Sequence, residues 1–313
     1  MASPAIALLY PTLLAILAMD GNYTLFADDH GTSYMIDESE PVPTAAELAE
    51  IEESALDTFF SLFTRNNPKN GQQLIVNDKE SVNNSFWNPE RPTSFYVHGW
   101  RGNISSGSPS TLIRDAYLST DDCNVILVDW QKAASNLWYW KVARSVPFVA
   151  KHVTKMINFL EKEAGLDTSR LRLVGHSLGG HIVGLAARGA DSRVAEVMAL
   201  DPAKPAFISK GPGERVDITD AVKVQGIHTS SIGLGKAIGD SDFYPNGGIL
   251  QPGCSIIIPA CAHERAWQYY AESIKNPTGF RAGNVFMGGP KFDSNARGRY
   301  TLKTRRSSPF ALG

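Results

Sequence analysis

The stretch that most constrains this chain is Leu171–Ala190, LRLVGHSLGGHIVGLAARGA. A short apolar run through Leu173 and Val174 reads as a strand, Gly175-His176-Ser177-Leu178-Gly179 as a tight turn, and the small residues after it as a helix. A serine at the tip of such a turn holds a strained backbone, tolerable only where its neighbours have almost no side chain. Gly175 and Gly179 meet that need, and Gly180, Gly184, Ala186 and Ala187 let the helix lie close to the strand. The spacing predicts that Ser177 projects its hydroxyl beside a helix N-terminus, as a nucleophile would. The plainer alternative is a Gly-Ser turn without chemistry, and the strand before and glycine-rich helix after argue against it.

The 313 residues, 43% of them hydrophobic, are enough for a large core. The formal net charge of −2 conceals an uneven distribution. All 30 Lys and Arg lie at Arg65 or later, whereas 11 of the 32 acidic residues precede it, so residues 65–313 carry an excess of about nine positive charges. This reads as an acidic leader before a basic domain, and a basic surface favours anionic interfaces, membranes included. Residues 5–18, AIALLYPTLLAILA, form an apolar run too short to span a bilayer comfortably and read as a signal-peptide core, although no Lys or Arg precedes them. The expected organisation is a signal peptide over 1–19, an acidic leader or propeptide over 20–55 and one catalytic domain over 56–313. Sequons at Asn22, Asn83 and Asn103 fit secretion. Of the three cysteines, Cys254 and Cys261 are read as a disulfide and Cys123 as a buried thiol; the alternative is intermolecular pairing.

Within residues 20–55 the composition admits two readings, a disordered acidic tail or a propeptide covering the basic domain, with a short helix over Ala45–Ala55. Beyond Asp57, strands are expected over Thr58–Phe63, Gln73–Val76, Thr93–His98, Val125–Val128, Val194–Leu200 and Val222–Ile227. A helix is expected over Pro147–Ala164, where Val149, Val153, Met156, Ile157 and Leu160 recur at helical spacing. Strands alternating with helices, several apolar on both faces, predict an α/β fold with a mostly parallel sheet flanked by helices.

A serine nucleophile needs a general base, and the base needs an orienting carboxylate. On an elbow of this kind the acid and then the histidine follow in sequence. Asp201, at the end of the apolar run VMAL, fits the acid; an Asp-Pro turn is the alternative. Of seven histidines, only His228, ending a strand, and His263, on the loop after Cys261, lie in the right order, and position favours His263. An oxyanion hole would use the N–H of Leu178 and a second donor from the loop His98-Gly99-Trp100, where the Trp100 ring could pack over substrate.

With these residues in place the chain resembles the pancreatic lipase family, in particular its insect secreted lipase and phospholipase A1 branch. The matching stretches are YVHGWRGN, NVILVDW, VGHSLGGHIVGLAAR, ALDPAKPAF, VQGIHTSS, DFYPNGG, QPGC and CAHERAWQYYAESI, in order over roughly residues 56–300. The resemblance implies an α/β-hydrolase fold with Ser177 as nucleophile, Asp201 as acid, His263 as base, Trp100 and Leu178 as oxyanion donors, and His228 as a strand-end histidine of no catalytic role. It departs from the triglyceride lipases of the family in two ways. No C-terminal β-sandwich domain is expected, and the lid between bridged cysteines shrinks to Ser255–Ala260, with Ile256, Ile257 and Ile258 as an apolar mouth. In this family a short lid accompanies phospholipase A1 or galactolipase activity. The resemblance implies no cofactor. Arg215, Asp217 and Asp220 match positions of a family calcium site, but Pro212 replaces its fourth, acidic, ligand, so no metal is expected. The substrate implied is a glycerolipid at a membrane or lipid interface, with neither nucleic acid nor colipase as partner. Phospholipase A1 is the preferred activity. A neutral triglyceride lipase of the gut, a non-catalytic yolk-type lipid-binding protein and a zymogen are the alternatives.

Overall fold

The computed structural model describes residues 6–7, 23–39 and 41–313. Three strands belong to the leader: β1 (Ile6–Ala7), β2 (Tyr23–Ala27) and β3 (Ser33–Asp37). The sheet of the main domain is built from β4 (Phe59–Phe63), β5 (Gln72–Leu74), β6 (Thr93–Val97), β7 (Asn124–Asp129), β8 (Leu171–His176), β9 (Glu196–Leu200), β10 (Lys223–Ile227), β11 (Ser241–Pro245) and, after the short pair β12 (Arg281–Ala282) and β13 (Val285–Phe286), β14 (Gly298–Leu302). Its order is β14-β11-β10-β9-β8-β6-β7-β4-β5. From β14 to β7 every pair is parallel, and β4 runs antiparallel to both of its neighbours. The expected strands appear within two residues of their expected ends, and the expected signal peptide lies outside the described residues except at Ile6 and Ala7.

The parallel arrangement follows from side chains that are apolar on both faces. In β6 and β7, Phe95, Val97, Ile126 and Val128 point into one core and Tyr96, Val125 and Leu127 into the other. The helices Tyr139–Ala164 and Leu178–Gly189 cover the first face, and Pro109–Thr120 and Ala260–Lys275 the second. All the parallel strands therefore end along one edge of the sheet. There the chain places His98, Ser177, Asp201 and His228, each one residue past a strand end. None of the described helices is long and apolar enough to cross a membrane.

Two expectations are corrected. The helix expected from Pro147 begins at Tyr139, eight residues earlier, with Pro147 inside it. An interior proline costs about 3 kcal/mol, but Tyr139, Trp140, Val142, Ala143 and Val146 all lie buried on the stripe that the later turns continue. Packing of that stripe outweighs the lost hydrogen bond. The second correction concerns only the disordered reading of the leader, whose described part packs against the domain. β2 and β3 pair antiparallel from Tyr23↔Asp37 to Ala27↔Ser33. Asp28 closes the turn by accepting the N–H groups of His30 and Thr32 at 3.0 and 2.8 Å. Phe26, Tyr34 and Ile36 are buried in the same core as the helix Tyr139–Ala164. The helix Ala45–Leu56, opened by a Thr44–Glu47 capping box, buries Ile51 and Ala55, and Ala55 joins that core.

Candidate active site

Between β8 and the helix Leu178–Gly189, Ser177 takes φ 56° and ψ −120°. Glycine at both flanks is a matter of space: a Cβ on Gly175 would run into the Gly179 carbonyl, and one on Gly179 into the Val97 carbonyl. Ser177 N–H donates to Leu200 O at 3.0 Å, and its carbonyl accepts Ala203 N–H at 3.2 Å, so β9 and the chain after it hold the turn in shape.

Asp201 lies one residue past β9, fully buried. Its Oδ1 accepts the N–H groups of Thr229 and Ser230 at 2.8 and 3.2 Å, and its Oδ2 accepts the Ser230 hydroxyl and stands 2.6 Å from His263 Nδ1. Burial pushes the carboxyl pKa up, but the hydrogen bond and charge of His263, with those donors, hold it below the ordinary value. His263 was expected on a loop. It stands instead in the first turn of the helix Ala260–Lys275, its N–H donating to Pro259 O at 2.9 Å. The Cys254–Cys261 disulfide is formed two residues before it, and Cys123 is a buried free thiol. Burial, and then the charge of His176, lower the His263 pKa despite Asp201. Both His263 Nε2 and Ser177 Oγ are buried without a hydrogen-bond partner.

His228 is tied elsewhere. Its Nε2 lies 2.7 Å from Asp242 and its Nδ1 2.6 Å from Leu234 O. Of these two histidines, the one paired with Asp201 is His263.

Leu178 is the first residue of its helix, so its N–H is among the donors with no acceptor inside the helix. The Trp100 ring is buried rather than open to substrate: its Nε1–H donates to Asn136 O at 2.8 Å, and Tyr34 and Tyr139 pack on it with centroids at 5.0 and 5.5 Å. Ile256 is 83% and Ile257 54% exposed, whereas Ile258 turns in against the core. Arg215, Asp217 and Asp220 brace their own loop, with Asp217 N–H on Asp220 at 2.8 Å and the Arg215 guanidinium on the Lys210 and Val216 carbonyls. Among the described residues no cluster of His, Cys, Asp and Glu could hold a metal ion.

Asp29 was missed by the sequence reading. Its Oδ1 lies 2.7 Å from His176 Nδ1, 147 residues away, and its Oδ2 accepts the Gly99 N–H at 2.6 Å. Burial opposes charge on both partners, but their mutual attraction lowers the Asp29 pKa and raises that of His176. The only local signal was an Asp-Asp pair in an acidic stretch, which nothing distinguishes from a solvated turn.

The family model described as Lipase matches residues 32–285. Pancreatic triacylglycerol lipase of Myocastor coypus is 32% identical over 72% of this chain and 54% of its own length. Lipase member H of Danio rerio is 35% identical over 68% of this chain and 48% of its own, and lipase member H-A of Xenopus laevis 38% over the same shares. The chain thus spans about half the length of the curated relatives it matches. A matching model over most of the sequence and a parallel sheet carrying its serine on a strand–helix elbow agree, and the chain belongs to the pancreatic lipase family.

Proposed function

We propose that this protein is a secreted hydrolase of glycerolipid acyl esters working through Ser177, His263 and Asp201. The observation that carries the reading is the buried His263–Asp201 pair, 2.6 Å apart, together with a strained Ser177 whose hydroxyl, like His263 Nε2, is buried and without a hydrogen-bond partner. His263 Nε2 takes the Ser177 proton as the hydroxyl attacks the ester carbonyl, and Asp201 holds the ring and offsets the imidazolium charge. The N–H groups of Leu178 and Trp100 stabilise the oxyanion. The imidazolium then protonates the leaving alcohol, and water, activated by His263, releases the fatty acid from the acyl-enzyme.

Among glycerolipids the preferred substrate is a phospholipid cleaved at sn-1. Only six residues separate Cys254 from Cys261, so the loop there carries a single apolar stub, and the excess positive charge of residues 65–313 suits anionic lipid surfaces. A second reading, triglyceride hydrolysis, is favoured by the names of relatives such as pancreatic triacylglycerol lipase. Product analysis on phosphatidylcholine, phosphatidylserine and a triglyceride separates them. Accumulation of 2-acyl lysophospholipid supports phospholipase A1, and preferential release from triglyceride overturns it. Ser177→Ala is expected to lower turnover by about 10⁴-fold or more with the fold retained; full turnover in that variant would rule out Ser177 as the nucleophile.

A further inference from the structure

Phe26, from the leader, is fully buried beside the candidate triad. Its ring centroid lies 4.8 Å from Tyr139, 5.8 Å from His263 and 6.1 Å from Trp100. An apolar position between the base and the oxyanion loop is where the acyl chain of an ester bound at Ser177 would lie. Three residues on, Asp29 takes the Gly99 N–H of that loop and donates its own N–H to Trp100 O at 2.9 Å. The carboxylate also comes close to the serine. A Cβ built on Gly99 would lie 2.5 Å from Asp29 Oδ1 and 2.8 Å from Ser177 Cβ, so both crowd the same point of the loop. An apolar group beside the base and a carboxylate at the oxyanion loop is the arrangement of a bound fatty-acid product. The carboxylate is itself held in place by His176, whose Nδ1 lies 2.7 Å from its Oδ1. Ser177 is 1% and His263 0% exposed, so no ester reaches them in this arrangement.

We propose that the hairpin Tyr23–Asp37 is a product-like intramolecular inhibitor, with Phe26 filling the acyl position and Asp29 engaging the oxyanion loop, and that the site opens when the hairpin leaves. This rests on the triad reading above. Past Asp37, whose carbonyl accepts Trp140 Nε1–H at 2.7 Å, the chain runs through a connector held by the Arg144 guanidinium on Pro41 O, with Val42 92% exposed, before the helix Ala45–Leu56. Because no Lys or Arg precedes Arg65, a protease that frees the hairpin does not rely on basic residues.

The test compares the full-length wild type, Phe26→Ala and Asp29→Asn for the rate of Ser177 labelling by a fluorophosphonate and for turnover of p-nitrophenyl butyrate, with Ser177→Ala as the labelling control. Phe26→Ala is expected to raise both by about tenfold, and Asp29→Asn by a smaller factor, as the closed arrangement loses population. Rates that are unchanged or lowered overturn the proposal, lowered rates marking the hairpin as a support for the oxyanion loop. If Phe26→Ala loses its cooperative melt, the full chain with a specific protease site substituted at Pro41–Pro43 decides. Cutting after folding must speed labelling, and an equal rate before and after overturns the inhibitor. Absence of labelling in every form overturns the triad as well, which distinguishes the two failures.

Discussion

At Ser177 the positive φ is maintained because β9 and the chain after it accept and donate to the serine backbone on both sides, while Gly175 and Gly179 leave room for the turn. Strain of this kind costs about 1–3 kcal/mol and survives only where the surroundings over-determine it. The chemistry proposed for it then depends on the protonation of one ring. Burial and the neighbouring His176 charge keep the His263 pKa below its ordinary 6.5, so the base stays neutral through neutral pH. As pH falls through that lowered value the ring takes a proton and can no longer accept the one from Ser177. The acid limb of kcat/KM for p-nitrophenyl butyrate is therefore expected below pH 6.5; a limb above it would show that His263 is not the base. Ser177 and Asp201 stood out in the sequence because strand, turn and chain order are local signals. The choice between His228 and His263 was a matter of position alone, and the structure separates them by partner: Asp242 for one, Asp201 for the other.

The element that carries His263 is held at its start by the Cys254–Cys261 bridge. Closing so short a loop contributes roughly 2–3 kcal/mol by the chain-entropy account. Replacing both cysteines by serine is expected to lower the thermal midpoint by roughly 5 °C, measurable by calorimetry. Turnover should fall as well, because the first helical turn bearing the base loses its anchor. An unchanged midpoint would mean that packing of Tyr269, Tyr270 and Ile274 holds this helix without help. Elements with a single dominant pattern were legible: continuous apolar strands, and the stripe Val149 to Leu160. Others were not. The first two turns of the helix Tyr139–Ala164 were hidden by Pro147, because local propensity says nothing of the core that offsets its cost. Hairpin pairing in the leader was hidden likewise, since β2 and β3 are short and their apolar faces acquire meaning only against Trp100 and Tyr139.

Over the whole molecule, acidic residues concentrate before Arg65 and basic ones follow, and the lipid-surface binding proposed above would rest on the positive excess of residues 65–313. Raising ionic strength from about 10 mM to about 1 M shrinks the screening length from about 30 to about 3 Å. Binding to phosphatidylserine vesicles, followed by sedimentation, is expected to weaken steeply over that range, and salt-independent binding would assign the attachment to the exposed Ile256 and Ile257 instead. The same scale separates what each level of information decides. The sequence by itself determined the parallel α/β sheet, the strained serine turn with an acid and a histidine after it in order, and the charge division between leader and domain. Each of these is written in short-range spacing or in composition. Only the tertiary structure decided that the leader folds onto the domain, that Asp29 reaches His176 and Gly99, and that Phe26 lies against His263. Those contacts join residues far apart in the chain, and such contacts are selected by which buried faces fit together. No local periodicity records that.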